Sequence, residues 1–163
     1  AIGGTVEHIR AAAALVRRAR PRAVAIPYGV DRHPDHVAAS QVLTEAVFNS
    51  GLRRYDAGTE SPSCPPWKPE WVCYYFINDS APPSFLVDVS EHYDQKRRAL
   101  ACHVTQFTAP AAAGVATRLT SPLFQQLVES RDAHFGALAG VQFAEGVVVK
   151  EPVVRTTLFR HGS

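Results

Sequence analysis

The chain has 163 residues, of which 46% are apolar and 20% charged, with 17 basic and 15 acidic side chains, a net charge of +2 and no methionine. A chain of this size and composition can bury one domain-sized core, which excludes disorder, collagen-like repeats and a coiled coil. No apolar run reaches the roughly 18 residues that a membrane span needs, the start has no signal-peptide profile, and the near-even charge argues against a nucleic-acid surface.

Thr5 is placed to cap a helix in which Val6, Ile9, Ala13 and Val16 recur at helical spacing until Pro21. The Arg17, Arg18, Arg20, Arg22 cluster at its end is the one candidate for a nucleic-acid contact. Cations placed at a helix C-terminus explain it better, so no nucleic-acid partner is expected. The apolar run Ala23 to Ile26, closed by Pro27, predicts a parallel strand buried on both faces. A helix followed by a strand is half of a crossover unit, so the chain is expected to lack a preceding strand, and the absent methionine fits that expectation.

Pro34 suits the first helical position, and a helix is predicted from there through Val37, Val42 and Val47 to Gly51. Residues 55–69 read as a proline-rich loop. Strands are expected at Val72–Phe76 and Phe85–Val89, then a helix capped by Ser90 and running from Glu91 to about Gln106. Residues 108–120 read as a loop, a further helix carries Leu123, Leu127, Phe135 and Leu138 up to Gly140, and a last strand covers 141–149 with an interruption at Gly146. The three cysteines, Cys64, Cys73 and Cys102, have no metal-type spacing and read as thiols in a reducing, cytoplasmic setting.

The densest group of chemically able side chains is Asp31-Arg32-His33-Pro34-Asp35-His36. It follows the end of a buried strand and opens a helix, which is where doubly wound α/β proteins hold ligands. His33 at the N-cap and His36 in the first turn can face one crevice, and the helix N-terminus favours neutral, metal-binding imidazole. A competing structural reading has these side chains simply capping a helix. A catalytic zinc needs three protein ligands, and no other residue here has an evident reason to complete the set.

The segment from Tyr28 to His36 resembles the second motif of the LmbE-like, or PIG-L, family of zinc-dependent N-deacetylases. Val87-Asp88-Val89-Ser90 with Lys96, Ala99-Leu100 and Thr105-Gln106-Phe107 are similar to the family's middle segment. Gly136 and Gly140 to Gly146 are similar to its ending, most of all in the branch that deacetylates N-acetylglucosaminyl-malate in bacillithiol biosynthesis. The resemblance implies an α/β, Rossmann-like domain with a mostly parallel sheet and flanking helices, of which residues 1–163 would be the C-terminal portion. It implies a zinc ligand in His36, a catalytic pair in His33 and Asp35, with Asp35 holding His33 in orientation, and the remaining ligands in an N-terminal HPDD motif. That motif is absent from this sequence, so the first strand and first active-site loop are expected to be lacking and the chain to be inactive alone.

Arg32 and Lys68 are the candidate substrate-binding cations, Lys68 facing an acidic group such as malate. The expected partner is a small N-acetylated sugar, with no membrane, and the resemblance is compatible with a homo-oligomer. The alternatives are a deacetylase of another N-acetylglucosamine conjugate, such as a mycothiol precursor or a glycolipid, and a non-catalytic binding or assembly module on the same fold.

Overall fold

The computed structural model describes residues 4–57, 64–103 and 122–154. They fall into two compact units, one containing residues up to Ser80 together with those from Val148, the other Ala81–Val147. The expected Thr105-Gln106-Phe107 segment and the 108–120 loop lie outside the described residues.

The first unit opens with α1 (Val6–Ala19), capped as expected by Thr5, whose hydroxyl accepts from the His8 backbone N–H. The strand β1 (Ala23–Pro27) pairs in parallel with β2 (Trp71–Tyr75), Ala23 opposite Trp71 and Ile26 opposite Tyr74. Between them α2 (Pro34–Ser50) has His33 as its N-cap and Pro34 at its start. Ile9 and Ala13 of α1 pack on Val42 and Ala46 of α2, a pairing that helical i, i+4 spacing on both sides makes possible. Below them Ile26, Val47 and Tyr74 form a second cluster with Val16, Val24, Leu43 and Val72 around it. Full burial of a side chain such as Ile26 stabilises the fold by about 2 kcal/mol.

One expectation for β1 is corrected. Its pairing is parallel, but among the described residues its burial is uneven: Val24 and Ile26 pack toward the helices and Pro27 is buried, whereas Ala23 and Ala25 are exposed.

Three of the four clustered arginines make contacts within the first unit. Arg17 is buried and donates to the Ser50 carbonyl (3.0 Å) and the Leu52 carbonyl (2.7 Å), so a cation satisfies the C-terminus of α2. Arg20 lies over the Trp67 ring at 4.4 Å, and Arg22 forks onto Glu70.

In the second unit β3 (Phe85–Asp88) runs antiparallel to β4 (Ala144–Val148), with Leu86 opposite Gly146, so the strand continues through that glycine. Ser90 does not cap a long helix. It begins a 3-10 turn (Ser90–His92) that leads into α3 (Tyr93–Ala101), and its hydroxyl donates to Asp88 (2.6 Å) and accepts from the Phe143 N–H (3.1 Å). The helix α4 (Pro122–Ala139) buries Phe124, Val128, Asp132 and Phe135, while Leu123, Leu127 and Leu138 are exposed. Gly140, with φ +75°, ends it as expected. Helices flank strands in both units, so the class is α/β and Rossmann-like, with a parallel pair in one unit and an antiparallel pair in the other. Among the described residues no helix is long and apolar enough to cross a membrane.

Candidate functional site

The site forms where the parallel strands end. After β1 the chain turns through Tyr28, whose N–H donates to the Tyr75 carbonyl (2.9 Å) and whose ring meets Phe76 edge-on at 5.3 Å. This aromatic contact holds the loops after β1 and β2 side by side. Asp31 follows in the first loop and Asn78 in the second.

Asp31 is the centre of the arrangement, with 3% of its side chain exposed. Its Oδ1 accepts from the His33 N–H (2.8 Å), the Asn78 side-chain amide (2.9 Å) and His36 Nδ1 (2.9 Å). Its Oδ2 accepts from the Asn78 N–H (2.9 Å). Burial alone would raise the pKa of this carboxyl, but the Asn78 side chain, the His33 and Asn78 backbone amides and His36 outweigh it and hold the group well below the usual carboxylate range. Asp31 is therefore an anion held by four hydrogen-bond contacts, three on Oδ1 and one on Oδ2.

His33 caps α2 in extended backbone conformation (φ −92°, ψ 118°), and its Nδ1 accepts from the Asp35 backbone N–H at 3.2 Å. This imidazole thus does what Ser or Asp does at most N-caps. The His33 and His36 rings stack with centroids 4.7 Å apart and 24° between planes. His36 is held through Nδ1 by Asp31 and keeps 27% of its side chain exposed, so Nε2 is the ring nitrogen that Asp31 does not engage. That is the arrangement in which a carboxylate orients a metal-binding imidazole.

The structure brings His33, Asp35 and His36 together at the N-terminus of α2, with the exposed Arg32 beside them. The Asp35 main-chain N–H donates to His33 Nδ1, and the Asp31 carboxylate holds His36. Lys68 lies elsewhere: it packs beside Gly51 at the other end of α2, in a cleft with Val47, Phe48 and Val72. A 17-residue helix is about 25 Å long, so Lys68 and the histidines occupy opposite ends of the parallel strands. Trp67 donates to the Pro21 carbonyl (2.8 Å) and serves packing.

Sequence reasoning missed the roles of Asp31 and Asn78. Asp31 stood inside the conspicuous hexapeptide, and Asn78 falls between the strands expected at Val72–Phe76 and Phe85–Val89, in none of the motifs. The usable signal was position, because both follow parallel strands at their C-terminal ends, where such folds place functional side chains.

As a metal site the donor set fits in part. His36 has the chemistry of one zinc ligand, but among the described residues no group of three His, Cys, Asp or Glu could hold a metal ion.

No protein-family model matches the chain. It is 25% identical over 136 residues to the diacetylchitobiose deacetylase of Thermococcus kodakarensis, a match covering 82% of this chain and 46% of that protein. Among solved structures it is similar to a conserved protein of Thermus thermophilus, with 31% identity and a TM-score of 0.81 over 98% of this chain and 65% of the other. It shares its fold with the N,N'-diacetylchitobiose deacetylase of Pyrococcus horikoshii, at 19% identity and a TM-score of 0.71 over 89% of this chain and 51% of that one. It does so too with the 4-carboxy-2-hydroxymuconate hydratase of Pseudomonas putida, at 19% identity and a TM-score of 0.67 over 97% and 66%. The chain spans about half of the curated relative and under two thirds of the first of these structures. The fold is thus one that deacetylases use, and a hydratase uses it too, so the reaction has to be argued from the site.

Proposed function

We propose that this chain is part of a zinc-dependent N-deacetylase that hydrolyses the acetamide of an N-acetylglucosamine conjugate. The observation that carries the reading is the imidazole pair at the C-terminal end of β1, with His36 fixed by the anionic Asp31. Its support from relatives is the similarity to a diacetylchitobiose deacetylase. We assign N-acetylglucosaminyl-malate as the substrate on the resemblance of the motifs around Ser90 and Glu145, with other N-acetylglucosamine conjugates as the alternative.

A zinc ion held there would supply Lewis acidity toward the acetamide carbonyl and toward water. His36 serves as one ligand through Nε2, and further ligands come from outside the described residues. His33, oriented at the helix N-terminus by the Asp35 amide, is the group placed to meet negative charge on the former carbonyl oxygen or to pass a proton to the leaving amine. Arg32, exposed next to it, is placed to meet an acidic part of the substrate.

A deacetylation assay on the protein in its natural length tests this. Acetate release from N-acetylglucosaminyl-malate and from N,N'-diacetylchitobiose is expected, with His36→Ala lowering kcat/KM by more than the roughly 10–100-fold that loss of a ligand's outer partner costs. Undiminished activity in His36→Ala would remove the assignment of this residue. A non-catalytic module is the second reading, favoured by the lack of a three-ligand group among the described residues. It predicts sugar binding with no acetate release.

A further inference from the structure

We propose that Asp31, clamped by Asn78, is the positioning residue that fixes His36 as the Nδ1–H tautomer and so leaves Nε2 as the unprotonated nitrogen. This deepens the function proposed above, and it rests on that reading only for what Nε2 is used for.

The argument starts from the lone pairs of Asp31. Three donors meet at Oδ1 and one at Oδ2, and the side chain is all but removed from water. An ionised carboxylate only accepts, so the nitrogen of His36 that lies 2.9 Å from Oδ1 must carry the proton. The Asn78 amide nitrogen is 3.4 Å from the same His36 Nδ1. Both are donors, so they share Asp31 rather than bonding to each other.

Asn78 grips both carboxylate oxygens, one with its side chain and one with its main chain. That two-point hold stops the carboxylate from rotating about its terminal torsion, which is otherwise broad. His33 adds a third point through its N–H. The carboxylate is thereby fixed to the start of α2 and to the loop after β2, and His36 inherits one ring orientation. With its side chain nearly closed to solvent, Asp31 is a positioning residue that acts through His36.

The test is a two-bond 1H–15N correlation spectrum of the 163-residue chain labelled at histidine, at about pH 8, above the ordinary imidazole range. The expected result is His36 with a protonated Nδ1, the reverse of the tautomer that an unconstrained imidazole side chain prefers. Asp31→Ala should return His36 to the Nε2–H form, and Asn78→Ala should give a mixture. A wild-type His36 in the Nε2–H form, or a folded Asp31→Ala that keeps Nδ1–H, overturns the proposal. Should Asp31→Ala not fold, Asn78→Ala decides, and an unmoved tautomer ratio there rejects the clamp. A purely structural role for Asp31 would change melting and leave the tautomer untouched. In the natural-length protein, Asp31→Asn should weaken zinc affinity about 10–100-fold in chelator competition. The tautomer spectrum can fail while His36→Ala still abolishes activity, and the reverse, so the two readings fail separately.

Discussion

Asp132 has 1% of its side chain exposed, and three donors converge on it. Tyr93 Oη (3.0 Å) and Lys96 Nζ (2.6 Å) reach Oδ2, and Arg131 Nε (3.2 Å) reaches Oδ1. Lys96 also bonds to Glu145. Burial and the adjacent carboxylate of Asp132 push the Tyr93 phenol well above its ordinary value, so it serves there as a donor. Removing one partner of a buried charge costs more than a surface pair is worth, because the remaining charge stays desolvated. Lys96→Ala should therefore lower stability by about 2–3 kcal/mol in urea unfolding. A loss under about 0.5 kcal/mol would mean that the group behaves as a surface ion pair. Lys96 and Glu145 were both conspicuous in the sequence, each in its own motif. Asp132 was not, because a carboxylate on a helix declares itself only through partners from other elements.

Gly136 lies inside α4, where glycine ordinarily costs a helix about 1 kcal/mol relative to alanine. Propensity alone predicts that Gly136→Ala stabilises. Packing predicts the opposite: a Cβ there would lie 2.5 Å from the Gln142 carbonyl oxygen and 2.8 Å from that of Val141, and both are backbone atoms that cannot swing away. The helix and the turn after it close to this distance as the Val141 N–H donates to the Gly136 carbonyl (2.9 Å). Gly136→Ala should lower the melting temperature of the chain, the steric cost outweighing the helical gain, and a raised melting temperature would show that the turn relaxes freely. The elements themselves were legible, since α1, β1 and α2 announced themselves by apolar period, cap and proline. The buried face of α4 was not, because it follows Phe124, Val128, Asp132 and Phe135, and the carboxylate in that row breaks the apolar period that marks a core face.

At the scale of the whole chain the question is how much of a metal site these residues can make. Catalytic zinc in proteins rests on three side-chain ligands and an open position. His36 offers one nitrogen with its tautomer fixed, and His33 stacks beside it, but its Nδ1 already accepts the Asp35 amide. Asp31 already accepts from His33, His36 and both amide groups of Asn78. The cysteines Cys73 and Cys102 are thiols that belong to β2 and to the end of α3, and among the described residues no third donor joins the histidines. One fixed imidazole, even with a second one near it, binds zinc weakly beside a full set. The 163-residue chain, dialysed against a chelator and then analysed for metal, should hold well below one zinc per chain. Stoichiometric zinc that survives the chelator would show that this polypeptide completes the site by itself, and the split of ligands proposed above would then be wrong.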